Sequence, residues 1–179
     1  SDVYKRQEIR LYRSVSFFEM ACADSCAHVA CVHPAIERKF PMKAIISVPS
    51  TPEPQLVDRD IPRPAQNEIL VQVFASTVNP VDALSPSADG RAAFGLQSDF
   101  GLGWEFSGVV AESTHPSILP GAKVIGLTPN IGSPLAAHSQ YINVNADQLA
   151  LMPDNISFVD AATIPLNGLT ALQLSLIHI

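Results

Sequence analysis

The stretch "GLGWEFSGVV", Gly101 to Val110, sets one carboxylate, Glu105, inside a run that is otherwise glycine, aromatic and aliphatic. From Glu105 it continues as "EFSGVVAES" (105–113), a segment of strand length, and similar runs stand on both sides of it. They are "KAIISV" (43–48), "QLVDRD" (55–60), "EILVQVFAS" (68–76), "AKVIGL" (122–127) and "SQYINV" (139–144). Pro, Gly, Asn and Asp separate them, which is the pattern of an all-β unit, a small barrel or a sandwich. In "EILVQVFAS", Ile69, Val71, Val73 and Ala75 alternate with Leu70, Gln72, Phe74 and Ser76, giving one aliphatic face and one mixed face. Pro120 and Gly121 in "LPGAKV" supply a turn. Read in this setting, the opening stretch enters a strand. Its glycines have neither the spacing nor the following helix of a phosphate loop. Gly108 is then the point where another backbone packs closely. Glu105 reads as a partly buried structural acid that needs a hydrogen-bond or cationic partner, which the sequence does not name.

The 179-residue chain is 47% hydrophobic and 16% charged, a composition that suits one globular domain with a fragment of another. A net charge of -6 argues against a phosphate-binding surface, so nucleic acid is set aside as a partner. No apolar run approaches the ~18 to 20 residues that span a bilayer, and no signal-peptide order is visible. No membrane partner and a cytoplasmic location are the expectations. Fifteen prolines against nine glycines favour short strands broken by stiff turns.

Both ends look foreign. Ser1–Gln7, "SDVYKRQ", and Leu174–Ile179, "LSLIHI", resemble translated sequencing-adapter read-through, and residues 174–179 are expected to be an artefact. Glu8 to Pro41 shows no sustained period, whereas "MKAIISV" opens a clean strand at Met42. Residues 1–41 are therefore expected to be a non-native leader, or else a disordered extension. Cys22, Cys26 and Cys31, with His28 and His33 interleaved, all fall in that leader. Their spacing matches no paired structural zinc motif, and the odd count argues against a closed disulfide framework.

After "LMPD" the character changes. Ser157 with Asp160 three residues on is close to a capping box, so a helix of about two turns should start there. A second should begin near Leu166 to Thr170, in "PLNGLTALQ". No Gly-x-Ser-x-Gly, Gly-x-Gly-x-x-Gly or Gly-x-x-x-x-Gly-Lys-Ser/Thr motif is present. His115 and His138, isolated in sequence, read as surface or hydrogen-bonded histidines rather than catalytic bases.

"FASTVNPVDAL" (74–84), "GWEFSGVV" (103–110), "PGAKVIGL" (120–127), "SQYINVNADQLALMPDNISFVDAATIP" (139–165) and "LNGLTALQ" (166–173) occur in register with the medium-chain dehydrogenase/reductase superfamily. The chain most resembles its zinc-independent quinone oxidoreductase and enoyl reductase branch, over essentially all of Met42 to Gln173. The resemblance implies a mainly β fold, a GroES-like, partly open β-barrel over residues 42–165. Short C-terminal helices would lead toward a Rossmann domain, begun by residues 166–173, that carries the glycine fingerprint for the cofactor. As written, the chain is expected to be inactive alone.

The same resemblance bears on metal. In zinc-dependent relatives a Cys opens the segment matching "NPVD", and a His lies in the Gly-His-Glu matching Gly103-Trp104-Glu105. Asn79 and Trp104 stand there instead, and neither an amide nor an indole replaces a zinc ligand. Alcohol oxidation is then disfavoured, and hydride transfer from NADPH to a quinone or an α,β-unsaturated carbonyl is implied. Asn79 would face the nicotinamide, Thr170 would contact the cofactor near its ribose, and Trp104 would line the substrate cleft. Read from the residues alone, Asn79-Pro80 is a turn between strands, Thr170 a plain helix residue, and Asp82 a cap for a short turn. Where many such reductases carry a tyrosine, this chain has Ala83 and Leu84 followed by "SPSADG", so no proton donor is assigned. The whole protein is expected to be a homodimer. Two alternatives remain open: a trans-acting enoyl reductase of polyketide synthesis with an acyl-carrier partner, and a non-catalytic β-barrel binding module.

Overall fold

The computed structural model describes residues 38, 40–51, 53–128 and 131–177. The cysteine and histidine cluster and nearly all of the expected leader lie outside the described residues, as do His178 and Ile179.

The chain runs β1 (Met42–Ser47), β2 (Gln55–Arg59), β3 (Glu68–Ser76), α1 (Pro80–Leu84), α2 (Ala88–Phe94), β4 (Phe100–Gly101), β5 (Glu105–Ser113), β6 (Lys123–Leu127), β7 (Tyr141–Asn145), β8 (Leu149–Leu151), α3 (Phe158–Ala161) and α4 (Ile164–Ile177). Two antiparallel sheets form, of order β2-β1-β4 and β7-β3-β5-β6-β8. The first strand begins at Met42, and β3 and β5 have the bounds expected from sequence.

Segment 137–140 stitches the sheets together. Ala44 and Ser139 form a bridge, Ile45 N donates to His138 O at 2.9 Å, and His138 N donates to Leu102 O at 2.8 Å. Register shifts in the β3–β5 pair at Leu70/Val71 and Val73/Ala75 bend the larger sheet, as bulges do. The result is a curved, partly open barrel and not a closed one. Its core gathers Ile69, Val71, Phe106, Val110, Val124, Ile142 and Val144. The alternation in β3 is visible: Ile69 and Val71 are buried while Gln72 and Phe74 are exposed, and Phe74 stacks on Phe158 with ring centroids 4.7 Å apart. Leu70 departs from it, being fully buried on the mixed face.

Gly108 pairs with Val73 in β3 and Val124 in β6. A Cβ there would lie 2.2 Å from Gln72 O, so backbone does approach closely at this point.

Four features depart from the sequence reading. Asn79-Pro80 opens α1 instead of forming a plain inter-strand turn, with Pro at the helix start where its missing donor costs nothing. α2 was not foreseen. Ser87 Oγ caps it by accepting from Gly90 N at 3.0 Å, and Arg91 pins it by donating to Ser47 Oγ at 2.7 Å. α3 is one turn and not two, because Pro165 has no N–H with which to continue the ladder. α4 begins at Ile164, earlier than expected, and runs on through Leu174–Ile177. Arg38, the one described residue ahead of Phe40, donates to Glu112 Oε2 at 2.7 Å, and this contact raises its guanidinium pKa. Among the described residues no helix is long and apolar enough to cross a membrane.

Candidate active site

Glu105 opens β5 and is fully buried, not partly buried as expected. A buried carboxylate is tolerated only with hydrogen-bond or charged partners. Its partners are all neutral donors. Thr77 Oγ1 donates to Oε1, Asn79 Nδ2 donates to the same oxygen at 3.3 Å, and the backbone N–H of Leu166 donates to Oε2 at 2.8 Å. Asn79 Nδ2 also donates to Thr77 Oγ1 at 3.1 Å. The corner thus joins the end of β3, the N-cap of α1, the start of β5 and the first turn of α4.

A second buried carboxylate holds the frame. Asp82 accepts from Asn79 N at 2.8 Å through Oδ2 and from Gly103 N at 2.9 Å through Oδ1. It therefore caps the short helix, as the residues suggested, and also fixes the segment that delivers Trp104. Gly103 is required there, because its φ is 97° and a Cβ would stand 2.6 Å from His138 N. His138 is buried with Nε2 3.0 Å from Thr77 O, and His115 Nδ1 accepts from Ser117 N at 3.2 Å. Both histidines are hydrogen-bonded, as expected.

Trp104 forms part of the wall of a cleft of about 660 Å³ that runs between β6, the segment 147–150 and α4. Ile125, Leu127, Leu149, Leu169 and Leu172 make its surface largely apolar. Asn79 does not line it but bonds to Glu105, which follows Trp104 and ties down Leu166. Thr170 is exposed on α4 and is not among the cleft-lining residues, which on that helix include Gly168, Leu169 and Leu172. Of the three expected site residues only Trp104 lines the cleft; Asn79 is tied to it through Glu105, and Thr170 is not among its lining residues. Thr77 and Leu166 were missed by the sequence reading. One signal did exist for Leu166: it carries the first amide after Pro165 at a helix start, an orphan donor that needs an acceptor.

Among the described residues no cluster of three or more His, Cys, Asp or Glu side chains is placed to hold a metal ion.

No protein-family model matches the chain. It is similar to the quinone oxidoreductase of Salmonella typhimurium, 34% identical over 126 residues that cover 67% of this chain and 35% of that protein. The trans-enoyl reductase tazE of Aspergillus terreus is 30% identical over 133 residues, 64% of this chain and 40% of that one. The mitochondrial NAD(P)H oxidoreductase RTN4IP1 of Dictyostelium discoideum is 27% identical over 119 residues, 64% of this chain and 33% of that one. Among solved structures, the quinone oxidoreductase from Coxiella burnetii superposes with a TM-score of 0.62 at 30% identity, covering 74% of this chain and 43% of that one. The chain therefore spans about a third to two fifths of the length of these relatives.

Proposed function

The chain belongs to the medium-chain dehydrogenase/reductase superfamily, and from that premise we propose that it is the substrate-side part of an NAD(P)H-dependent reductase of quinones or α,β-unsaturated carbonyls. The observation that carries this reading is the apolar cleft walled by Trp104, beside a corner where Asn79 is held by a buried carboxylate. A flat conjugated ring suits such a wall, since aromatic surfaces stack and exclude water. In the same corner, Trp104 and Leu169 would supply apolar contacts for the nicotinamide end of the cofactor, and Asn79 Oδ1 would accept from a ligand N–H. When bound, the reduced nicotinamide would supply a hydride to the electron-poor carbon or quinone. The proton that balances the reduction comes from solvent or from a donor not assigned in this chain, since residues 83–89 offer no tyrosine.

We read the corner as metal-free. An amide, an indole and a carboxylate whose oxygens already accept three hydrogen bonds make a poor donor set for zinc, which wants three or four nitrogen, sulfur or carboxylate ligands. Elemental analysis of the purified chain is expected to find no stoichiometric zinc, and one bound zinc per chain would refute the reading.

Trp104 is the only tryptophan, so its fluorescence reports directly on the cleft. NADPH is expected to quench it with a dissociation constant below about 1 mM, the upper end of ordinary substrate affinities. An unchanged emission at saturating NADPH would overturn the cofactor reading. A trans-acting enoyl reductase is the second reading, supported by the relative of that name. Competition at the cleft by a crotonyl thioester but not by a quinone would favour it.

A further inference from the structure

We propose that Glu105 is a positioning residue that fixes which end of the Asn79 amide the site presents, and that it couples this choice to the first turn of α4. An ionised carboxylate accepts hydrogen bonds and donates none. The amide group facing Glu105 Oε1 must therefore be Nδ2, as the 3.3 Å contact has it. Thr77 enforces the same polarity, because its hydroxyl proton goes to Glu105 and only its lone pairs remain for Asn79. With Nδ2 engaged twice, Oδ1 points elsewhere. It faces the Asp82 backbone N–H in the capping box that opens α1, which occupies one of its two lone-pair directions. The second lone pair of Oδ1 is then the acceptor the corner offers, and it selects ligands that carry an N–H or O–H donor.

The other carboxylate oxygen makes the coupling. Pro165 has no N–H, so the Leu166 amide is an unsatisfied donor in the first turn of α4, and Glu105 Oε2 satisfies it from another element. One side chain holds both the ligand-facing amide and the helix that borders the cleft. A movement of α4 away from the barrel would remove a donor from Glu105 and loosen Asn79 with it.

The test uses Glu105→Gln, which keeps the volume, removes the charge and adds a donor. Hydrogen exchange by NMR is expected to speed up about tenfold or more at both the Asn79 side-chain amide and the Leu166 backbone amide, as loss of a charge-assisted hydrogen bond implies. The Val71 amide in the core should be unchanged. Thr77→Val is expected to speed exchange at Asn79 and leave Leu166 slow, and Thr77→Ser to restore Asn79. No change at either amide in Glu105→Gln, or a uniform acceleration that includes Val71, would overturn the proposal.

Its ligand arm rests on the cofactor reading above and is read separately by Trp104 quenching. The chain should prefer reduced nicotinamide mononucleotide over its 3-acetylpyridine analogue, which lacks the carboxamide donor, and Glu105→Gln should lose about tenfold of that preference. A preference kept intact in the variant would refute the selection by Oδ1. If neither compound binds while the exchange effects hold, the cofactor reading fails and the positioning role stands.

Discussion

Replacing Gly108 with alanine is expected to cost about 3 kcal/mol or more of folding free energy, at the upper end of the penalty for overpacking a core. The added methyl would sit 2.2 Å from Gln72 O and 2.8 Å from Val71 Cγ1. The first of these is backbone, so no side chain can rotate out of the way. β3 would have to move off β5 by about an ångström at the centre of the larger sheet, where the spacing between strands is set by their hydrogen bonds. Gly108 pairs with Val73, which lies between the two register shifts of that pair, so the ladder there is already irregular. Urea unfolding should show a large fall in the midpoint with an unchanged slope. A midpoint within error of the original chain would mean that the two strands can separate locally without loss, which would refute the packing argument.

Asp82→Ala is the second large effect, expected to cost about 2 to 4 kcal/mol because it leaves one buried and one part-buried backbone donor without an acceptor. Both of its oxygens are used, one by Asn79 N and one by Gly103 N. Asp82→Asn is expected to be damaging as well, since the amide has one acceptor oxygen and its NH2 group would meet the other N–H. The consequence is local as well as global. Gly103 precedes Trp104, so a released Gly103 should let the indole swing toward water and shift its emission to longer wavelength. Thermal unfolding together with the Trp104 spectrum of the folded variant checks both parts. A variant with the same midpoint and the same emission maximum would sink the claim.

The elements most legible in the sequence were those whose burial follows a simple pattern. β3 and β5 are long enough for period and composition to fix their ends, and Gly108 stood out as the one residue without a side chain in a buried run. β4 and β8 were not legible, because strands of two and three residues exist only through distant partners: β1 for Phe100–Gly101 and β6 for Leu149–Leu151. α2 carries a glycine in its first turn, which intrinsic propensity disfavours. Packing overrides it there, since a Cβ on Gly90 would stand 2.0 Å from Leu84 O. At the site, the need of Glu105 for partners was plain from its surroundings in the sequence. The partners were not, because Thr77 and Leu166 lie 28 and 61 positions away and carry no shared local signal.

The stitch between the two sheets sets a timetable for the protein's synthesis. Lys43 N receives its cap from Gln140 Oε1 across 97 positions, and Ala44 and Ile45 take their partners from the same late segment. At a translation rate of about 5 to 20 residues per second, β1 leaves the ribosome roughly 5 to 20 seconds before Ser139 and Gln140 exist to meet it. During that interval β2 covers one edge of β1, and β4 reaches only the Ile46–Ser47 end of the other, so the Lys43–Ala44 part stays open. The nascent chain therefore carries a partly bare strand edge until that segment arrives, and a holdase that shields such edges would have its window of action there.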